Sequence, residues 1–474
     1  MRDSPTHPRE TRGEPSRPLS ALLIAALALA SAATLATWSI PERKGLQMWT
    51  FARLHKQLYD PIVAKWTAEG SANVQMTLMG IQGMERRMLA AFLSGMPFAD
   101  LVEVERANAG RAFRGPPESV GFLDLTDRIH AEGLDKEINT PSFSPWSSGG
   151  RIYGLPHDVH PVMLGYRADI VEAAGIDISQ IETWDDFFRT LSPLMTPGPD
   201  GKPSRYILNL WDTHGTSLEM LMLQAGGAFF DASGACTLAS PTNADVMANI
   251  VAWCHGPSRV AADAPYFSAS GNKLLLDGYV LASFMPDWMC NVWKNEIPQL
   301  TGKVKLMPLP AWTKGGRRTS VWGGTMLGIP KTTSDPDAAW AFAKRLYLSP
   351  ELARATYHTA DIVTPVKKFW SDPVFDEKDP YFSNQPKGRL YLNLAPDVPS
   401  RSGSPYNAYA QLRAQDALIS LAQTAKDSGD FNIDHLRSKA LDLLKDAQRM
   451  VEDQMSRNVF APAATTSATT GGQS

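Results

Sequence analysis

Cysteine is scarce in this chain: three residues in 474, the first of them at position 236. No thiol near the N-terminus is available to carry a lipid, and three are too few for a disulfide framework. Cys236 and Cys254 can pair in an oxidising compartment and leave Cys290 single, but three buried small hydrophobes account for them equally well. A basic excess is also missing. Lys and Arg number 46 against 49 Asp and Glu, a formal net charge of −3, so there is little with which to neutralise a phosphate backbone and nucleic acid is excluded as a partner. The chain has no phosphate loop, no Gly-x-Ser-x-Gly elbow, no His-Glu-x-x-His helix and no internal repeat. His157 and His160, three apart on an extended segment, point to opposite faces. They read as a hydrogen-bonded pair, and neither a metal nor a cofactor is expected.

Charge is absent altogether from one stretch. Between Arg17 and Glu42 no residue is charged, and 19–40 is almost wholly apolar or small. As a helix this run measures about 33 Å, enough to cross a hydrocarbon core. It follows the polar segment 1–18, expected to be a disordered cytoplasmic region, with Arg2, Arg9, Arg12 and Arg17 ahead of the run. The small residues Ala30-Ser31-Ala32 permit cleavage, so the run serves either as a signal peptide or as a retained anchor. Export is expected on both readings. At the other end, 461–474 is a low-complexity Ala/Thr/Ser/Gly tail.

Between these ends lies enough chain for two domains. Leu46 to Phe51 reads as a strand and Leu54 to Thr67 as a helix with apolar residues at Leu54, Leu58, Ile62 and Trp66. Asn73–Leu78 reads as a strand, Met84–Ser94 as a helix stopped by Gly95, and Ala99–Glu105 as a third strand. Such alternation implies a largely parallel α/β sheet with ligands at the carboxyl ends of its strands. A second series follows: helices over 184–195, 217–224, 243–253 and 273–276, with strands over 280–285 and 303–308. A strand from Val321 and a helix opened by Asp335 and Pro336 come next. The C-terminal region is helical, with Leu436, Ala440, Leu443, Ala447 and Met450 on one face.

The segment from Gly150 to Phe187 carries the most information. It is a turn, an apolar strand broken by polar residues, a short helix, and a second helix capped by Thr183 with Asp185 and Asp186 in its first turn. Strands that leave one domain for another are built this way. Its order of residues resembles the first crossing between lobes in family 1 extracellular solute-binding proteins of ABC importers, the relatives of maltose-binding protein. Other blocks stand in matching order: Trp49-Thr-Phe, Ser94-Gly-Met-Pro-Phe-Ala-Asp-Leu-Val-Glu-Val, Tyr153-Gly-Leu-Pro, Gly226-Gly-Ala-Phe-Phe-Asp-Ala-Ser-Gly, Asp287-Trp288, and Trp322-Gly-Gly-Thr. Together they span 46–455.

The resemblance implies an α/β, two-lobed periplasmic-binding-protein fold of type II, with two sheets joined by three hinge crossings. The first lobe is expected over 45–158 and 322–361, the second over 159–321 and 362–456. It also implies reversible binding of a sugar or oligosaccharide, without catalysis, by a monomer that delivers its ligand to ABC permease subunits. On matching positions the ligand contacts are expected at Trp49 and Phe51, at Glu103 and Asp158 as hydroxyl acceptors, at Trp211 and Trp288, at Trp322, Gly323 and Gly324, and at Tyr406. Aromatic faces suit the C–H faces of sugars, and carboxylates suit their hydroxyls. One departure is the missing lipid-anchor cysteine, with the apolar run in its place, which makes a membrane-tethered receptor an alternative to a soluble carrier. A second alternative is a glycoside hydrolase. Glu103 and Glu105 alternate on one strand and share a face about 7 Å apart.

Overall fold

The computed structural model describes residues 22–28, 30–31, 45–198 and 203–457. Of the apolar run, 22–28 and 30–31 are helical, with Leu22, Leu23, Ile24 and Leu27 exposed. Among the described residues no helix is long and apolar enough to cross a membrane. The expected tails 1–18 and 461–474, and the remainder of the apolar run, lie outside the described residues.

The body opens with strand β1 (Leu46–Thr50), helix α1 (Arg53–Ala68), β2 (Val74–Leu78), α2 (Ile81–Ser94), β3 (Leu101–Glu105) and the short α3 (Arg106–Ala112). Small helices and a two-residue hairpin lead to β4 (Leu155–Pro156) and then β5 (Val162–Arg167). There follow α4 (Trp184–Leu191), β6 (Tyr206–Asn209), α5 (Gly215–Gln224), α6 (Pro241–Cys254), β7 (Ala261–Ala262), α7 (Ala269–Leu276), β8 (Val280–Pro286), α8 (Asp287–Glu296) and β9 (Val304–Pro308). The chain returns through β10 (Thr325–Gly328), α9 (Pro336–Tyr347) and α10 (Pro350–Ala360), and ends in two long helices, α11 (Asn407–Ser428) and α12 (Ile433–Ser456).

Local signals explain the boundaries. Thr183 closes a capping box on α4: its hydroxyl accepts from the Asp186 N–H while the Asp186 carboxylate accepts from the Thr183 N–H. The Asp335 carboxylate accepts from the Ala338 N–H and Pro336 occupies the first position of α9, where its missing N–H costs nothing. Gly95, at φ 65°, ends α2 in the left-handed conformation that glycine adopts freely.

The strands form two mixed five-stranded sheets, ordered β2-β1-β3-β10-β4 and β9-β5-β8-β6-β7. In the first, β1, β2 and β3 are parallel and β10 runs antiparallel to both β3 and β4. In the second, β6, β7 and β8 are parallel and β5 runs antiparallel to both β8 and β9. The expectation of a largely parallel sheet holds with one exception in each: β4 runs with the trio of the first sheet and β9 with that of the second, so only β10 and β5 run the other way. Helices α9 and α10 pack on α1 against the first sheet, whereas α11 and α12 pack on α6 against the second. The short α3 was not anticipated as a helix. All three cysteines are buried and free, so the Cys236–Cys254 pairing does not occur.

Replacing Thr183 by Ala is expected to lower stability by about 1 kcal/mol through the lost cap. Replacing the fully buried Phe342 by Ala should cost about 3–5 kcal/mol. Urea melts of the two variants are expected to rank them in that order.

Candidate functional site

The strand directions bring the chemistry to one edge of each sheet. In the first sheet the carboxyl ends of β1 and β3 deliver Thr50-Phe51 and Glu105-Arg106. Because β10 is antiparallel to β3, its amino end delivers Gly323-Gly324 to the same edge, where the Arg106 N–H donates to the Gly324 carbonyl at 3.0 Å. The carboxyl end of β4 adds His157-Asp158, with the His157 N–H on the Thr325 carbonyl at 2.9 Å. In the second sheet the carboxyl ends of β6, β7 and β8 lead to Trp211, to Tyr266-Phe267 and to Asp287-Trp288. The segment 157–161 joins the two edges directly.

On the second sheet the aromatic residues form a continuous band. Ring centroids are 4.9 Å apart for Trp211 and His214, 5.1 Å for Trp211 and Tyr266, 5.5 Å for Tyr266 and Trp322, 6.0 Å for Trp322 and Trp288, and 6.1 Å for Trp288 and Phe267. Along the last part of the band exposure rises: Trp322 is 8% exposed, Trp288 half-buried and Phe267 59% exposed. Two buried nitrogens in it, Trp211 Nε1 and His214 Nδ1, have no hydrogen-bond partner within the protein. Burial lowers the His214 pKa, so its imidazole is neutral and able to exchange hydrogen bonds with hydroxyls.

The joint between the edges is a buried chain of charges. The Asp158 carboxylate meets His157 Nδ1 at 3.2 Å and His160 Nε2 at 3.0 Å through one oxygen. His160 Nδ1 lies 2.6 Å from Asp287 Oδ1, and the other Asp287 oxygen accepts from the Val363 N–H at 2.8 Å. Burial alone would lower the His160 pKa, but Asp158 and Asp287 outweigh it and push it up to about 10. Burial would likewise raise Asp158, yet the two histidines hold it well below the usual carboxylate range. His157 shifts down, chiefly through burial. The expectation that the two histidines face opposite ways is overturned: both converge on Asp158. The reason is His160 itself, which has φ 54° and breaks the strand alternation that would have separated them. Among the described residues no group of side chains has the makings of a metal site.

The remaining expected residues fall into distinct places. Glu103 is fully buried, and its carboxylate accepts from Tyr59 at 2.6 Å, Tyr347 at 3.0 Å and Thr50, with His55 Nδ1 at 2.9 Å. Burial would raise it, but His55, His157 and Thr50 bring it down to about 2. In place of a carboxylate open to a ligand, the structure has one that is fully buried and held by protein side chains, three at Oε1 and Thr50 at Oε2. Glu105 accepts from the Ala107 N–H at the start of α3. The two carboxylates do not make a catalytic pair. Trp49 is half-buried with its ring edge on Phe98 at 4.9 Å, and Phe51 meets His55 at 5.9 Å. Neither ring joins the band. Tyr406 is buried at the start of α11 beneath the Arg114 guanidinium, 5.5 Å from its ring centre, also apart from the band.

Asp158, Gly323 and Gly324 do come together, lining a small cavity with Trp146 and Arg401. Both glycines have positive φ, 119° and 135°, and a Cβ on Gly323 would stand 2.6 Å from the His160 ring. Positive φ accounts for glycine at both positions and the His160 ring adds to it at Gly323, while the Gly324 carbonyl is taken by the Arg106 N–H. Beside the cavity Arg401 grips Glu219 of α5 with two bonds of 2.6 Å, and Arg106 from the first sheet reaches the same carboxylate at 3.3 Å.

Sequence reasoning missed Tyr266, Phe267, His214 and this clasp. The signal for Glu219 was present as a lone acid in an otherwise apolar helix. Nothing in the local pattern marked Phe267.

The family model described as bacterial extracellular solute-binding protein matches residues 52–351. The chain belongs to that family. Its members are binding proteins rather than enzymes and work outside the cytoplasm, and this solute-binding protein has their two-lobed α/β fold. The arabinooligosaccharide-binding protein of Halalkalibacterium halodurans is 25% identical over 342 residues, covering 71% of this chain and 75% of the relative. The sugar-binding protein MalE of Xanthomonas citri aligns with a TM-score of 0.69 at 13% identity, over 87% of this chain and 99% of that one. The ABC transporter associated binding protein from B. animalis subsp. lactis Bl-04, solved with β-1,6-galactobiose, aligns with a TM-score of 0.64 at 18% identity over 87% of this chain and 98% of that one.

The charge chain makes stability depend on pH in a stated way. His160 is raised from 6.5 to about 10, so its contribution is fully present below pH 6.5 and is lost as pH rises through about 10. Glu103 is lowered from 4.5 to about 2, so its contribution is present above 4.5 and lost as pH falls through about 2. Replacing His160 by Gln leaves two buried carboxylates facing each other and is expected to cost about 3–5 kcal/mol at neutral pH. Melting temperatures of this variant should also lack the decline that the raised His160 pKa predicts for the parent protein as pH rises from 7 to 10.

Proposed function

We propose that this protein is the carbohydrate-binding component of an ABC importer and that it holds a short oligosaccharide between its lobes for delivery to the permease. The observation that carries this reading is the aromatic band at the carboxyl edge of the second sheet, which holds two buried ring nitrogens without a partner in the protein. Aromatic faces together with a few convergent polar groups are the usual equipment for a sugar ring. The arabinooligosaccharide-binding relative supports the choice of ligand class. In this reading residues 45–158 with 322–361 form one lobe and 159–321 with 362–456 the other. Closure turns on the three crossings at 157–161, 309–324 and 361–366. Trp211, Trp288 and Trp322 present rings. Trp211 Nε1, His214 Nδ1 and the peptide groups of Gly323 and Gly324 meet hydroxyls.

The apolar run 19–40 would export the chain and either be removed or tether it to the membrane as a monomer. Membrane fractionation and N-terminal sequencing of the expressed protein separate the two, since cleavage near Ala30-Ser31-Ala32 leaves a soluble product.

Purified full-length protein titrated with arabinooligosaccharides and β-1,6-galactobiose is expected to show saturable Trp fluorescence changes. A ligand at a hundred times its Kd should add about 2.7 kcal/mol of stability, with the sugar recovered intact. Trp288→Ala is expected to weaken binding at least about tenfold, a change of about 1.4 kcal/mol. Recovery of hydrolysed sugar, or no binding to any of the panel, would overturn the reading.

A further inference from the structure

Phe267 is the one member of the aromatic band that the interior does not need. It is 59% exposed, and its backbone lies at φ 57°, a left-handed conformation that is unusual for a bulky side chain and that glycine or asparagine would adopt with less strain. The turn that carries it is fixed from both sides. The Ser268 hydroxyl donates to the Pro265 carbonyl at 2.8 Å and accepts from the Gly271 N–H at 3.0 Å. At Gly271 a Cβ would stand 1.9 Å from the Pro265 carbonyl oxygen, so α7 begins pressed against this turn. An aromatic residue is thus held out toward solvent in a position where the backbone favours a different residue type. Strain of this kind marks a functional constraint when no packing requirement accounts for it.

What the ring does follows from its neighbour. Phe267 lies nearly parallel to Trp288, at an interplanar angle of 12° and a centroid distance of 6.1 Å. The other links between rings in the band are tilted or edge-on: Trp322 meets Trp288 at 88° and Tyr266 at 86°. Only the outermost pair therefore offers two similarly oriented faces, and those faces run from the half-buried Trp288 to the solvent-exposed Phe267. A single sugar seated on Trp288 has no need of the second face. A chain of sugars leaving the cleft passes over it.

We propose that Phe267 is a specificity-determining residue for chain length, a second stacking platform that engages the sugar units beyond the one on Trp288. Oligosaccharides gain affinity from it and monosaccharides do not. This rests on the oligosaccharide-binding function proposed above.

The test compares full-length parent protein with Phe267→Gly and Phe267→Trp, titrated by calorimetry with arabinose and with arabinooligosaccharides of increasing length. In the parent, affinity is expected to rise with length. In Phe267→Gly the affinity for arabinose stays within about twofold, while that for the longest chains falls about tenfold, the worth of one stacking contact. Phe267→Trp should keep the length dependence. Melting temperature serves as the folding control, and Phe267→Gly is expected to melt at or above the parent because the strained backbone is relieved. Equal losses for arabinose and long chains, or no loss for either, would overturn the proposal while leaving sugar binding intact. A parent protein that binds none of these sugars would overturn the functional reading and this inference with it.

Discussion

The buried carboxylate of Asp287 is the constraint on which the arrangement of the two halves depends. It stands at the first turn of α8, fully buried, where a helix N-terminus favours a negative charge. One oxygen holds the His160 imidazolium of the first crossing, and the other accepts the Val363 N–H of the third. The next residue completes the set: Trp288 Nε1 donates to the carbonyl of Trp322 in the second crossing at 2.8 Å. Two consecutive residues at one helix start therefore bind all three strands of chain that pass between the sheets. Neutralising the carboxylate would leave the positively charged His160 buried against Asp158 alone.

A buried ion pair is not by itself a source of stability, since desolvation offsets much of the attraction. Its value here is geometric. Apolar side chains could fill the same volume, but they would not fix the direction in which each crossing leaves its sheet. Hydrogen bonds from a single carboxylate do fix it. The left-handed backbone at His160 and at Gly323 fits the same requirement. Both residues bend the chain so that an imidazole and a peptide group reach the helix start, and a Cβ at Gly323 would collide with the imidazole.

Much of this was legible in the sequence. Alternating strand and helix patterns placed β1, β2, β3 and β8 within a few residues, because those strands are short apolar runs bounded by turn residues, whereas the short β6 and β7 were not read as strands. The order of blocks pointed to the two-lobed family, and the Asp287-Trp288 pair stood out after its apolar strand. What could not be read was the direction of side chains at irregular backbone. His157 and His160 were separated by a rule that holds for regular strands, and one residue of positive φ reversed it. Glu103 looked like a strand-end acid free to meet a ligand, yet its four partners come from β1, α1 and α9, up to 244 residues away in sequence. Long-range satisfaction of a buried carboxylate leaves no local pattern. Of the clasp, Glu219 alone left a local trace as the one acid of an apolar helix; its partners Arg106 and Arg401 left none, and neither did Phe267.

The division of labour within Trp288 links the hinge to the ligand. Its indole N–H is spent on the carbonyl of Trp322, which belongs to a crossing, whereas its ring lies parallel to that of Phe267 at a centroid distance of 6.1 Å. A molecule stacked on the Trp288 ring and the hinge carbonyl therefore share one rigid plane, only two torsions removed from the helix start that anchors Asp287. Any rotation of the indole that improved stacking would strain the bond to Trp322. Any movement of the crossing would tilt the ring. With the ligand on Trp288 as proposed above, binding and hinge position would be coupled through a single side chain, and such coupling acts equally in both directions. On the other half Glu103 ties β1, α1 and α9 to the edge of the first sheet through Thr50, His55, Tyr59 and Tyr347.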